Sequence, residues 1–404
     1  MKKKKKKIEI EKAVSYSKIS WAVFLFTLII SLISLVSVVF PALISDTVVP
    51  NGFTRMGVDL YQIDPYETGP LAELLIFTNG IIFGLYFFRK KIPKISKIFS
   101  FDIPQKISII VVLIVIVAYG SISFPEVYTD EIYEDWKTVK HVTESSDLSK
   151  ITGMGPHLRF FLLDQSMILF GSYKIIPLFS SMVLLGITYL FTTSLTKNRF
   201  SGLVSMGLVL QSYIFLTFDT SSTYTTFWML FYLLSLYVVV RFWFANPIFY
   251  VASIFSKAIT ALFAPMSIFF ILNSQIPKKH KILLSVIISI IVTVGISVVL
   301  SGGNLQEGVK IHEFFEGFAS FAFQMRFDVI TILFLVPLVF GLFVISKKNK
   351  HANSISILIA GILFSAPLLS GLTDQTNQPY RFLPIVVFFA VGVGMLFTKI
   401  KTKV

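Results

Sequence analysis

Residues 21–44 read WAVFLFTLIISLISLVSVVFPALI, a run without a single charged side chain. About 20 apolar residues in a helix suffice to cross the roughly 30 Å hydrocarbon core of a bilayer. The run is too long for the apolar core of a signal peptide, and it lacks a clear small-residue cleavage site. The stretch therefore predicts a first transmembrane helix, over residues 19–44.

Similar apolar runs recur along the whole chain and predict an all-α polytopic membrane protein. The chain is 54% hydrophobic and 14% charged, a composition that is rare in soluble domains. We expect a bundle of about 11–12 transmembrane helices, because each run is long enough for one crossing. The predicted helices occupy residues 19–44, 70–88, 106–122, 174–195, 200–218, 222–243, one or two crossings within 247–273, then 282–300, 327–346, 353–370 and 380–397.

The distribution of charge predicts the topology. Basic clusters such as MKKKKKK at the start and RKKIPKISK at 89–97 fall on one side of the scheme, which the positive-inside rule makes cytoplasmic. The net charge of +14 then reports topology and contact with membrane lipid rather than nucleic-acid binding. We expect a multi-pass plasma-membrane protein with a cytoplasmic N-terminus and acidic extracytoplasmic loops.

Three segments depart from simple crossings. Residues 156–171, PHLRFFLLDQSMILFG, and 312–323, HEFFEGFASFAF, are typical of interfacial helices in the outer loops. Residues 247–273 contain Lys257 and Pro265 between two cytoplasmic flanks, so an even number of crossings is needed. We therefore favour two short helices in a hairpin, with Lys257 near the break.

An acidic cluster, YTDEIYEDW at residues 128–136, follows the predicted helix at 106–122 and belongs to an outer loop at 123–173. Asp130 and Glu131 lie close to the membrane surface, where a partly desolvated carboxylate can act as a general base on a hydroxyl or an amine. The other acids of this loop are expected to be ordinary solvated charges: Glu126, Glu134, Asp135, Glu144 and Asp147.

Several cations are predicted to converge on the same outer side. Lys257 interrupts an apolar stretch, Arg381 opens the last helix, and His157 and Arg159 begin the first interfacial segment. Arg and Lys side chains in this number suit a phosphate or a pyrophosphate. The alternative for Lys257 is that its stem lies along apolar surface while its charge reaches the interface.

The segment FDTSSTYTTFW, residues 218–228, places Asp219 beside Tyr224 at the outer surface. Asp219 is either a helix N-cap or a functional carboxylate, and the sequence favours neither. The chain contains no phosphate-binding P-loop, no His-Glu-x-x-His zinc motif, no Gly-x-Ser-x-Gly elbow and no cysteine. A P-loop ATPase engine, such a zinc site and disulfides are therefore not expected.

The order of these elements resembles the GT-C class of polyprenyl-phosphate-dependent glycosyltransferases, in particular the protein O-mannosyltransferases and the bacterial aminoarabinose transferase. The matching features are Asp130–Glu131, GPHL at 155–158 with ILFG at 168–171, Asp219, Lys257 and YRFLP at 380–384. GPHL departs from the His-Pro-Pro-Leu type of element of that class.

The resemblance implies a membrane glycosyltransferase of the hexosyl or mannosyl type. Asp130 would be the base of an inverting transfer, with Glu131 assisting; Lys257, Arg381, Arg159 and His157 would hold the donor phosphate; Asp219, Tyr224 and Tyr380 would contact the acceptor or support the site. The donor would be a polyprenyl- or dolichyl-phosphate sugar and the acceptor a protein or a glycolipid on the extracytoplasmic face. No cofactor or resident metal is expected, although the sequence leaves a divalent cation open.

The resemblance covers residues 106–404, so residues 1–105 are interpreted as a basic N-terminus with two added helices. A second hypothesis, from a different class, is a transporter or flippase of a lipid-linked anion, because Lys257 in a broken helix is also typical of transporters.

Overall fold

The computed structural model describes residues 16–39, 70–89, 91–133, 135–145, 157–301, 328, 333–372 and 379–398. Within these ranges the chain is helical and has no strand. Three helices are long and apolar enough to cross a membrane, Lys18–Val36, Gln105–Tyr128 and Ile175–Thr196, and several shorter apolar helices accompany them. The predicted all-helical membrane class is therefore confirmed, whereas the number of crossings and their orientation stay predictions.

The first half of the chain supplies nine helices among the described residues. They are α1 Lys18–Val39, α2 Ala72–Phe88, α3 Pro93–Ile98, α4 Gln105–Ser123, α5 Trp136–Glu144, α6 His157–Phe170, α7 Ile175–Thr196, α8 Arg199–Val209 and α9 Tyr213–Phe218. The second half supplies α10 Phe227–Arg241, α11 Asn246–Ser256, α12 Ala264–Asn273, α13 Lys278–Ser301, α14 Leu335–Ser346, α15 His351–Leu372 and α16 Leu383–Met395. Helices α3 and α5 lie in segments that the sequence predicted only as loops.

The predicted helix at 200–218 is wrong as a single element, because the chain breaks between α8 and α9. Ser212 is the N-cap of α9, and its hydroxyl donates to Oδ2 of Asp328 over 2.6 Å. The same carboxylate accepts the first amides of α9, those of Tyr213 and Ile214, at 3.1 Å each. A buried carboxylate at a helix N-terminus satisfies amides that otherwise lack partners.

The predicted pair of short helices within 247–273 is confirmed. Helix α11 ends at Ser256, a 3-10 helix runs over Ala258–Phe263, and α12 follows. Lys257 lies at the break in an extended conformation, with φ −163° and ψ 117°. Thr260 fastens the break by donating its hydroxyl to the Ser253 carbonyl over 2.9 Å. The helix predicted at 312–323, as well as Glu134 and Asp147, lies outside the described residues.

Helices α1 and α2 belong to the same core as the rest of the chain. Thr27 of α1 donates to the Ser356 carbonyl of α15, and Tyr86 of α2 donates to the Gly341 carbonyl of α14, both over 3.3 Å. The two helices therefore pack as integral parts of the bundle. Whether residues 1–105 are an addition to an older module stays a prediction.

Helix α16 lies at the centre of this core, where almost all of its side chains are buried. It packs against α8 so closely that two α8 hydroxyls reach its backbone: Ser201 donates to the Gly394 carbonyl over 2.8 Å and Ser205 to the Ala390 carbonyl over 2.9 Å. Small residues permit such close approach between helices in membranes. The α8–α16 contact fixes the position of the residues that precede α16.

Gly394→Ala is expected to lower the melting temperature. An added Cβ would lie 2.7 Å from Cγ2 of Thr192 and 2.9 Å from the Ser201 carbonyl oxygen, which belongs to the backbone and cannot swing away. Overpacking of this kind costs about 1–3 kcal/mol. Gly207→Ala on α8 is the matched control, because its Cβ meets nothing within 4 Å. Thermal unfolding of the purified protein measures both, and equal melting temperatures would contradict the packing argument.

Candidate functional site

Two of the predicted cations lie at one aromatic ring, and a third, Arg159, interacts electrostatically with Lys257. The Nζ atom of Lys257 lies 3.6 Å from the ring centroid of Tyr380, and Cζ of Arg381 lies 5.8 Å from the same centroid. The charges of Arg381 and Arg159 both act on Lys257. Three like charges repel one another, so this arrangement favours the binding of an anion that all three can share.

Each of these cations lies at the end or at a break of a helix. Arg159 is in the first turn of α6, Lys257 separates α11 from the following 3-10 helix, and Arg381 lies in the 3-10 turn Pro379–Phe382 that leads into α16. Helix ends project side chains where the bundle opens, whereas mid-helix cations would face hydrocarbon or the core. The three helices thus present their charges at a single place.

Two stacked tyrosines, Tyr224 and Tyr380, lie beside the cations. The ring of Tyr224 stacks on that of Tyr380 with centroids 4.3 Å apart and an angle of 18° between planes. Tyr133 meets Tyr224 edge-on at 4.8 Å, and Lys257 also lies 5.8 Å from the Trp228 ring. Aromatic faces attract cations and hold Lys257 in place.

Residues 219–226, DTSSTYTT, form a segment that we call the hydroxyl loop. All of its residues except Tyr224 are buried, and its predicted location at the outer surface of the membrane stays a prediction. Hydrogen bonds to nearby carboxylates compensate for the buried polar groups. Thr220 donates to Glu126 over 3.2 Å, and Tyr224 donates to Asp135 over 2.8 Å. Two of the acids that we expected to be merely solvated therefore hold this loop.

Glu131 binds the middle of the hydroxyl loop with both carboxylate oxygens. Ser221 donates its hydroxyl to Oε1 over 2.8 Å, and the Ser222 amide donates to Oε2 over 2.9 Å. The other side of the loop is bound by Arg159, which donates to the carbonyls of Ser222 and Thr223. Glu131 is thus a positioning residue that fixes the loop between the acidic segment and the cations.

Asp130 differs from its neighbour. Its carboxylate is exposed and forms no hydrogen bond to another described residue, so it is accessible to a ligand. Its backbone is held by Lys174, which was missed in the sequence. The Nζ atom of Lys174 donates to the carbonyls of Glu126 and Asp130 over 3.3 and 3.4 Å, and to the Thr129 hydroxyl over 3.2 Å.

Asp219 is a buried carboxylate and not a helix N-cap. Helix α10 has Thr226 at its N-cap, and Oδ2 of Asp219 accepts hydrogen bonds from Tyr119 over 2.6 Å and from Ser123 over 3.1 Å. The pKa of Asp219 is raised to about 7, mainly by burial and to a smaller extent by the charge of Glu126. The hydrogen bond from Tyr119 works in the opposite direction.

The titration of Asp219 predicts that stability falls as pH rises. The carboxyl has a pKa of 3.8 when exposed and about 7 in the fold, so the folded state binds more protons between these values. The free energy of unfolding should decrease from about pH 4 to about pH 7, at up to roughly 1.4 kcal/mol per pH unit. Asp219→Asn removes this term. Melting temperatures at pH 4.5 and 7.5 measure it, and equal slopes for both proteins would contradict the assignment.

The structure assigns no role to His157, and it assigns no residue to a divalent cation. The ring of His157 lies 6.0 Å from that of Phe255 on α11, and its phosphate role stays a prediction. Within the described ranges no group of three or more His, Asp or Glu side chains is placed to share a metal ion. No residue is therefore assigned to a divalent cation.

No family model matches the chain, and no curated protein or solved structure matches it either. The resemblance to the GT-C class therefore rests on the order of the sequence motifs. The geometry adds the electrostatic interaction of Arg159 and Arg381 with Lys257, and the binding of Arg159 and Glu131 to the same hydroxyl loop.

Proposed function

We propose that this protein is a membrane glycosyltransferase. It moves a sugar from a polyprenyl- or dolichyl-phosphate carrier to a protein or glycolipid acceptor on the extracytoplasmic face. The observation that carries the proposal is the location of Lys257 and Arg381 at the ring of Tyr380, together with the charge of Arg159 that acts on Lys257. Such a cluster suits a phosphate whose negative charge increases as the sugar leaves it.

The proposed transfer is an inverting displacement. The acceptor oxygen attacks the anomeric carbon, and its proton passes to the Asp130 carboxylate. The bond between the anomeric carbon and the phosphate oxygen breaks, and its electron pair stays on the lipid phosphate. The cations stabilise this leaving group, while the hydroxyl loop keeps the acidic segment and the cations at a fixed separation.

Turnover with a labelled lipid-phosphate sugar tests the proposal. The purified full-length protein in lipid nanodiscs should convert polyprenyl-phosphate sugar into polyprenyl phosphate when an acceptor extract from the host membrane is added. Comparison of glycans and lipid-linked sugars between wild-type and deletion strains should show a lost glycoform and an accumulated donor. Unchanged profiles together with no release of lipid phosphate would overturn the proposal.

The transporter alternative is favoured by one observation, the broken helix at Lys257 between α11 and α12. Transporters use such breaks to bind their substrates near the bilayer midplane. Reconstituted liposomes separate the two functions. A transporter moves the intact lipid-linked sugar to the other leaflet, whereas the proposed transferase consumes it.

A further inference from the structure

Buried polar atoms without a hydrogen-bond partner concentrate at the hydroxyl loop. Oδ1 of Asp219, Oγ of Ser222, Oγ1 of Thr223 and Nε1 of Trp228 all fall within ten residues, 219–228. No other stretch of that length in the described residues contains more than two such atoms. Native proteins leave few buried polar atoms unpaired, so a cluster of them requires an explanation.

A fifth such atom belongs to the side chain that holds the loop. Nε of Arg159 is buried and unpaired, although the other end of the guanidinium donates to the Ser222 and Thr223 carbonyls. Burial also lowers the pKa of Arg159, as expected for a guanidinium removed from water. Arg159 thus offers a hydrogen-bond donor next to the two unpaired hydroxyls.

The chemistry of these atoms distinguishes between classes of ligand. The Arg159 and Trp228 nitrogens only donate, the Asp219 oxygen accepts when ionised, and the Ser222 and Thr223 hydroxyls do both. A fully ionised phosphate accepts hydrogen bonds and has no proton to give, so it leaves the acceptors unsatisfied. A sugar ring carries several hydroxyls, each of which both donates and accepts. The mixed set therefore matches a polyhydroxylated sugar.

The cluster of unpaired polar atoms lies next to the cations that are proposed to bind the phosphate. Lys257 lies against Tyr380 and 5.8 Å from the ring of Trp228, and the Tyr380 ring stacks on Tyr224 of the hydroxyl loop. A sugar joined directly to a phosphate needs a polyhydroxyl site and an anion site side by side. The loop and the cations are joined in this way through the two stacked tyrosines.

We propose that Ser222, Thr223, Trp228 and Arg159 bind the sugar ring of the donor together with Oδ1 of Asp219, while Lys257 and Arg381 bind its phosphate. The inference rests on the proposed function and adds which end of the donor each group recognises. The ligand class is a neutral polyhydroxylated hexose in phosphodiester linkage to a polyprenyl chain.

The experiment compares two phosphodiester probes that carry the same single charge and differ in the sugar. Binding of polyprenyl methyl phosphate, the bare probe, and of polyprenyl-phosphate mannose or glucose is measured in nanodiscs with the full chain. Wild type should bind a sugar-bearing probe more tightly than the bare probe. Thr223→Val and Trp228→Phe should each weaken the sugar-bearing probe by about threefold to tenfold, the effect of one hydrogen bond, and leave the bare probe unchanged.

Thermal unfolding without ligand provides an independent readout. The hydroxyl that Thr223→Val removes forms no hydrogen bond in the fold, so this variant should not melt below wild type. Trp228→Phe also removes buried volume, so this variant is judged by its two affinities alone. Thr188→Val is the control for a buried hydroxyl elsewhere, because Thr188 donates only within its own helix, to Leu184 over 2.8 Å. It should change the affinity of neither probe.

The outcomes separate this inference from the proposed function. Equal binding of bare and sugar-bearing probes, or equal losses for both in the two variants, would overturn the sugar site while leaving a phosphate site intact. Lower melting temperatures without any change in affinity would show that the groups serve the fold alone, and would also overturn it. Failure of wild type to bind either probe would count against the proposed function itself.

Discussion

Asp130→Asn should reduce the rate of sugar transfer by about 10²- to 10⁴-fold, the contribution of a positioned general base. Asparagine keeps the size of the side chain but accepts no proton at its amide nitrogen. The fold should be unaffected, because the carboxylate is exposed and Lys174 contacts only the backbone carbonyl of residue 130. Single-turnover rates with saturating lipid-phosphate sugar measure the effect.

Two neighbouring acids provide the controls for Asp130. Glu144→Gln changes an exposed acid that contacts Lys140 on the same helix over 3.8 Å, and it should leave the transfer rate unchanged. Glu131→Gln should mainly lower the melting temperature, since it weakens two hydrogen bonds to the hydroxyl loop. A fully active Asp130→Asn protein would exclude Asp130 as the base.

Lys257→Met should lower kcat/KM for the lipid-phosphate donor by at least about 100-fold, because loss of a preorganised charge costs roughly 3–4 kcal/mol in a site shielded from water. Methionine preserves most of the apolar stem beside Tyr380 and Trp228. Without ligand, the melting temperature should not fall, since the substitution removes repulsion from Arg159 and Arg381. Steady-state kinetics over a range of donor concentrations gives the change.

Further substitutions separate the effect of the charge of Lys257 from the effect of its geometry. Lys257→Arg retains the charge and should recover part of the lost activity, whereas Lys137→Met, a change at an exposed lysine of α5, should have no effect. If Lys257→Met lowered the melting temperature and left kcat/KM intact, the side chain would be a structural cation–π partner of Tyr380 rather than a ligand of phosphate.

Sequence reasoning located the membrane helices and the cations for clear physical reasons. Apolar runs and basic clusters are local signals, and an isolated Lys257 in an apolar stretch is costly unless it has a partner. The pair of short helices on either side of Lys257 was predicted from the charge of the flanks, and their arrangement as a hairpin of two crossings stays a prediction. For Arg159 and Arg381 the sequence predicted only a common side of the membrane. Their association could not be predicted, because they are far apart in the chain.

Long-range hydrogen bonds explain what sequence reasoning missed. The break at Ser212 depends on Asp328, 116 residues away, and the position of Asp130 depends on Lys174, 44 residues away. The burial of the hydroxyl loop was not predicted, because its residues are polar. The loop is buried because Glu126, Glu131 and Asp135 supply the acceptors that solvent would otherwise provide.

The hydroxyl loop is bound by Glu131 on one side and by Arg159 on the other. The effects of substitutions at Glu131 and at Arg159 on the free energy of unfolding should therefore not be additive. A double-mutant cycle between Glu131→Gln and Arg159→Lys should give a coupling energy of about 0.5–3 kcal/mol. Without a direct ion pair between them, the two charged side chains should behave as one thermodynamic unit through the backbone of residues 221–223.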